Sequence, residues 1–178
     1  MKVLLIDADF RKPTQRKVFG LEDTIGLAEC LSDDAVKWQN CVIPSIAKNL
    51  DLLPAGHAKG HAAELLQRES AERILAEACS EYDIVIIDSA PVNRVVDTVL
   101  LARMANVVAL VTMPGQTTMP SAHRALRRLE GTNLIGYIAN NVTSATQRYY
   151  SEYGSYGYNR YYRDRYQSHY HGYGDTDS

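Results

Sequence analysis

The sequence predicts a doubly wound α/β domain built on a mostly parallel sheet, and three observations carry that reading. Four short apolar runs are spaced along the chain: VLLI from Val3, IVII from Ile84, VVALV from Val107 and LIGYIA from Leu134. Three of them are continuous rather than alternating, which is the pattern of strands covered on both faces. Helical patterns lie between them, and strands alternating with helices build a parallel sheet with helices packed on it.

The first run leads straight into Asp7-Ala8-Asp9-Phe10-Arg11-Lys12-Pro13. Between residues 41 and 54, CVIP and LDLLP flank a polar stretch containing Lys48 and Asn49, which reads as a hairpin or as an extra strand entering the sheet. The stretch Ala62–Ser80 spaces Leu65, Leu66, Ile74, Leu75 and Ala78 among Glu and Arg, and so predicts a helix. Asp97–Ala105 and Ser121–Glu130 are predicted helices as well. Beyond Val142 the aliphatic residues nearly vanish. Residues 143–178 hold ten of the twelve tyrosines, set among Gly, Ser, Asn and Arg. Such a composition cannot assemble a core. The expected organisation is an α/β domain over 1–142 and a Tyr/Gly/Arg-rich tail without fixed structure over 143–178.

A chain of 178 residues fits one domain. Its formal charge of −2 gives no general pull toward nucleic acid or an anionic membrane. Cys30, Cys41 and Cys79 are odd in number, far apart and not preceded by a signal peptide, so they read as reduced thiols of a cytoplasmic protein. The longest apolar runs are strand-sized, well short of the roughly 20 residues of a spanning helix.

Two strands end in acids. Residues two apart on a strand point to the same side, so Asp7 and Asp9 project together if the extended backbone persists that far. In open α/β sheets ligands bind at the carboxyl edge of the strands. Adjacent carboxylates repel unless a cation or proton intervenes; Arg11 and Lys12 are one source of charge and a divalent metal another. The run IVII leads into Asp88-Ser89-Ala90-Pro91, an apolar strand ending in Asp, which is the Walker B pattern for holding Mg²⁺. If the two strands are neighbours, three carboxylates converge. The plainer reading is that each acid caps the next helix or makes a turn.

With these motifs the chain resembles the bacterial tyrosine kinases, P-loop enzymes tied to capsule and exopolysaccharide export. MKVLLIDADFRKPT resembles their Walker A′ motif and YDIVIIDSAPV their Walker B segment. LDLLPAG followed by AELL resembles the stretch between, LIGYIANNV the late strand of the wider Min/Par-like ATPases, and the tyrosine-rich end the autophosphorylated tail. The resemblance implies ATP and Mg²⁺ as cofactors. It makes Asp7 the base toward an incoming tyrosine, Asp9 and Asp88 the Mg²⁺ positions, and Arg11 a contact for phosphate or a neighbouring acid. Asn140 would touch adenine. The acceptors would be Tyr149, Tyr150, Tyr153, Tyr156, Tyr158, Tyr161, Tyr162, Tyr166, Tyr170 and Tyr173. Implied partners are the tail of a neighbouring subunit in a homo-oligomer and a membrane polysaccharide-export component; no nucleic acid is expected. The implied location is the cytoplasmic face of the membrane, reached through a partner or an upstream segment.

The pattern departs from that family in one main respect. No G-x-x-x-x-G-K-[S/T] occurs in these residues, although in the family that loop precedes Walker A′ and cradles the phosphates. The expectation is an α/β domain incomplete at its N-terminus, Met1 being an internal or misassigned start or a true truncation, and a chain that alone binds ATP poorly. Ala90 stands where a second proline is common, and GHAKGHAAELL lacks the expected prolines. His57 and His61 are four apart, but Gly56 and Gly60 argue for a loop rather than a metal-binding helix face.

From Thr143 onward, Arg148, Arg160, Arg163 and Arg165 balance Glu152, Asp164, Asp175 and Asp177, so the unmodified tail is formally neutral. Each phosphate would add about −1.5 to −2 charges, making a charge switch for assembly. Arg-Tyr steps could stack on single-stranded bases, but a neutral tail weakens that reading. Self-association through Tyr-Gly units is the third reading. Two further hypotheses stand beside the kinase: a Min/Par-like ATPase, and a catalytically inactive module that presents tyrosines to an intact kinase.

Overall fold

A computed structural model describes residues 1–58 and 62–142 of the chain. In chain order the elements are β1 (Val3–Asp7), α1 (Gln15–Val18), α2 (Leu27–Ser32), a 3-10 turn at Trp38–Cys41, β2 (Ile43–Ala47) and β3 (Leu50–Leu53). There follow α3 (Ala62–Leu66), α4 (Glu69–Glu81), β4 (Ile84–Asp88), α5 (Asp97–Met104), β5 (Val108–Thr112), α6 (Met119–Arg128) and β6 (Leu134–Ala139). All four apolar runs are strands, and the fold is the expected mostly parallel α/β type.

The main sheet has the order β2-β3-β1-β4. Strand β1 lies parallel to β3 on one side and to β4 on the other, while β2 runs antiparallel to β3. Both readings of residues 41–54 therefore hold at once: the segment is a hairpin, and its second arm is a sheet strand beside β1. The turn is possible because Asn49 takes φ of 61°, a left-handed conformation that Asn tolerates better than most residues. Strands β5 and β6 form a separate two-stranded sheet.

The chain divides into two compact units, one of residues 1–109 and 119–136, the other containing the described residues 110–118 and 137–142. The core of the first unit gathers Leu4 and Ile6 of β1, Leu53 of β3, Leu27, Ala28 and Leu31 of α2, Leu65 and Leu66 of α3, Ile74 and Ala78 of α4 and Leu101 of α5. Every second residue of β1 is fully buried here, which fixes its register and therefore where Asp7 falls.

The single helix expected over Ala62–Ser80 is broken into α3 and α4. Arg68 leaves the helix with φ −78° and ψ 150°. Its guanidinium donates to the carbonyls of Leu31 and Ser32 at 3.3 and 3.2 Å, closing the C-terminal end of α2. Apolar spacing alone carried no sign of that contact. The tail from residue 143, with its ten expected acceptors, and His61 lie outside the described residues.

Candidate active site at the carboxyl ends of β1 and β4

Strand β1 ends at Asp7, and its in-register partner on β4 is Asp88. Partners in register on adjacent strands share a face and lie roughly 5 Å apart at the backbone. The amide of Ala8 extends the ladder by donating to the carbonyl of Asp88 at 2.8 Å. The two strands that were expected to place their acids together do so.

Asp7 is 1% exposed. Its Oδ1 accepts the amide of Asp9 at 3.2 Å, and its Oδ2 accepts the amides of Thr14 and Gln15 at 3.2 and 3.1 Å. The carboxylate thus caps the start of α1, the plainer role weighed for it above. A carboxylate has about four acceptor positions, so roughly one remains for another donor or a cation. Burial pushes the Asp7 carboxyl above its ordinary value, and Asp88 pushes the same way, while the three amides oppose the rise. No cation pairs with Asp7 among the described residues.

Asp9 is placed differently from expectation. The strand stops at Asp7, so the two acids do not continue an extended backbone. The Oδ1 of Asp9 instead accepts the amides of Arg11 and Lys12 at 3.1 and 3.0 Å, a local turn made by an Asp side chain. Among the described residues no group of three or more His, Cys, Asp and Glu is arranged to hold a metal. The three-acid convergence is therefore corrected to an in-register pair, with the third acid turned into its own loop.

Gln15 was not singled out from the sequence, yet it ties the pair together. Its amide bonds to Asp7, and its side-chain Nε2 donates to Oδ2 of Asp88. A glutamine eight residues past a strand-end acid carries no recognisable signal. Asp97 was missed for the same reason. It opens α5, is 2% exposed, and its Oδ2 accepts Nε of Arg11 at 3.3 Å. The other oxygen of Asp97 has no hydrogen-bond partner among the described residues. Arg11, left between phosphate and a neighbouring acid by the sequence, thus meets the acid.

Beside this site, Glu29 closes a clamp on the exit of β3. Its Oε2 accepts the amide of Gly26 at 2.8 Å, and its Oε1 meets the amide and Nδ1 of His57 at 3.0 and 3.1 Å. His57 also reaches Asp23 at 3.3 Å, and Asp23 pairs with Arg16 at 2.6 Å. Gly26 has to be glycine, since a Cβ there would stand 2.1 Å from the carbonyl oxygen of Pro54. His57 sits in a loop, as the flanking glycines implied. Asn140, the expected adenine contact, belongs to the second unit, where its amide donates to Thr112 and its Oδ1 accepts from Asn141.

A mostly parallel sheet whose adjacent strand ends carry paired acids defines an α/β protein that works at its carboxyl edge. The AAA domain family matches residues 1–132, and the chain belongs to that family. It is also homologous to bacterial tyrosine-protein kinases. Tyrosine-protein kinase YwqD of Bacillus subtilis is 38% identical over 158 residues, covering 88% of this chain and 65% of YwqD. Tyrosine-protein kinase wzc of Salmonella typhimurium is 31% identical over 159 residues, covering 88% of this chain and 22% of wzc. The crystal structure of the VpsO kinase domain matches with a TM-score of 0.74 at 30% identity, over 80% of this chain and 71% of that domain. The chain therefore spans under two thirds of YwqD and about a fifth of wzc.

Proposed function

We propose that the chain carries the acidic half of an Mg-ATP-dependent protein-tyrosine kinase whose acceptors are tyrosines 149 to 173 in the tail of a neighbouring copy. The observation that supports this most is the in-register pair Asp7–Asp88, one member buried, in a chain homologous to proteins named as tyrosine kinases. Asp7 is the base. A tyrosine hydroxyl has a pKa near 10, so it needs a carboxylate whose own affinity for a proton is lifted, and burial lifts that of Asp7. Gln15 and the amides of Thr14 and Asp9 hold the carboxylate in place, so little reorganisation is needed on the approach of a hydroxyl.

The acid pair fits Mg²⁺. It offers hard oxygens, a spare acceptor position on Asp7 and a buried charge with no cation beside it, and Mg²⁺ is commonly held by one or two carboxylates with water completing its shell. The metal would neutralise charge on the transferred phosphoryl group; Asp88 is its first ligand and Asp9 stands nearer the loop. For the triphosphate of ATP the fit is incomplete, because no G-x-x-x-x-G-K-[S/T] lies within these residues. The setting we propose is capsule or exopolysaccharide export at the inner face of the membrane, with a polysaccharide-export membrane protein as partner. No described helix is long and apolar enough to cross a membrane itself.

Phosphotyrosine mapping by mass spectrometry, on the chain isolated from its own cells, tests the proposal. Phosphate is expected on the tail, and it should fall at least tenfold in an Asp7→Asn/Asp88→Asn variant. Phosphate undiminished in that variant would make the chain a substrate of another kinase, and a tail bearing none would end the kinase reading.

A further inference from the structure

Helix α6 presents a basic face that the proposed chemistry does not use. Ala125 and Leu129 are buried at 4% exposure each, while Arg124, Arg127 and Arg128 on the other side are exposed. Spacings of three and four residues put Arg124 beside Arg127 and Arg128 on one stretch of helix surface. The loop 91–96 is stapled along this helix. Asn93 Nδ2 donates to the carbonyl and Oγ of Ser121 at 2.8 and 3.0 Å, and Arg128 Nη2 donates to the carbonyl of Val95 at 2.9 Å. That loop adds the exposed Arg94, a short distance past Asp88 in the chain. None of the four arginines forms an ion pair among the described residues. The acid on this surface is Glu130, with His123 beside the arginines; Asp97, near in sequence, is committed to Arg11.

We infer that this surface docks the tyrosine-phosphorylated tail of a second copy of the chain. The charges identify the ligand. From residue 91 to 130 the basic side chains other than His123 are all arginine, with no lysine. The guanidinium fork binds phosphate oxygens in pairs, where lysine offers only a point charge, and clusters of free arginine are the usual reader of phosphorylated segments. The tail is the complementary segment. It is formally neutral as synthesised, with four Arg against four Asp and Glu, and gains about −1.5 to −2 charges with each phosphate. Docking is therefore switched by the modification: an unmodified tail brings no net charge to the patch, and a phosphorylated one brings many. Product held at α6 would vacate the acid pair while keeping the copies together. The source of the phosphate rests on the kinase reading; the binding surface does not.

A synthetic peptide of residues 148–174, phosphorylated on its tyrosines, is added to the unphosphorylated full chain and followed by fluorescence anisotropy. It should bind at least tenfold more tightly than the same peptide without phosphate, and the difference should shrink as salt rises. An Arg124→Glu/Arg127→Glu variant should lose at least tenfold in affinity with its thermal melting unchanged. Equal binding of the two peptides, or binding unaltered in the variant, would overturn the inference. Arginine-dependent binding to phosphatidylserine vesicles with no binding of the phosphopeptide would overturn it in favour of a membrane surface. Because the phosphates are supplied by synthesis, a chain that proves inactive as a kinase can still bind, and an active one can still fail.

Discussion

Strands β1 and β4 are nearly the same strand written twice, VLLID and IVIID, and their surroundings differ. Leu4 and Ile6 of β1 are 0% exposed, whereas Ile84 and Ile86 of β4 are 40% and 50% exposed. The reason is position: β1 is paired on both sides, and β4 is the edge of its sheet. A continuous apolar run reports how much cover a strand calls for, and these residues supply it to one of the two. Strand β4 also lacks the lysine, proline or bulge with which natural edges are blunted.

The largest expected effect separates the two strands directly. Leu4→Ala should cost about 2–5 kcal/mol of stability in urea unfolding, the range for emptying a packed leucine site. Ile86→Ala should cost less than about 1 kcal/mol, as for other half-exposed positions. Equal losses would break the comparison and place β4 in a covered environment.

What was legible in the sequence follows from the same contrast. Strands, helix positions and the identity of the strand-end acids came from local pattern, since apolar runs and the chemistry of Asp are written in consecutive residues. The hairpin at 41–54 was visible through Lys48 and Asn49. The geometry of the acids was not legible, because it depends on where a strand stops. One residue past Asp7 the chain turns, and Asp9 binds its own loop. Gln15, Asp97 and the break at Arg68 were hidden for a related reason. Each is defined by a partner distant in sequence: Asp88, Arg11 and the carbonyls of Leu31 and Ser32.

The Arg11–Asp97 pair joins the loop after β1 to the helix after β4, so it tests whether the two strand ends act as one unit. Arg11→Ala would leave Asp97 buried without its cation. The loss would be several kcal/mol for a fully buried pair, but Arg11 is 58% exposed, and solvent reduces the expectation to about 1–2 kcal/mol. A double-mutant cycle with Asp97→Ala should show the two changes to be less than additive in urea unfolding. Simple additivity would mean that the strand ends are held independently, with β1 and β4 sharing only their ladder.

The smallest effect lies on the paired side of β1, where the exit of β3 is held by Glu29 and His57. The amides of Leu27 and Ala28 donate to the carbonyls of Pro54 and Ala55, which fastens the start of α2 to that exit. Hydrogen bonds from Gly26 and His57 outweigh burial and hold Glu29 below its ordinary value of 4.5. Its contribution is present above that value and is lost as pH falls through the depressed pKa. The Asp23 and Glu29 carboxylates raise His57 above its ordinary 6.5. Its contribution is complete below that value and disappears as pH rises through the raised pKa. The clamp is therefore strongest between pH 4.5 and 6.5. Melting temperatures of the native chain and a His57→Ala variant should differ most in that window and converge as the pH rises past the pKa of His57. The half-exposed imidazole makes the gap smaller than either loss above. A gap that stayed constant with pH would mean that His57 acts through packing and its backbone amide, and that the paired side of β1 is finished without charge.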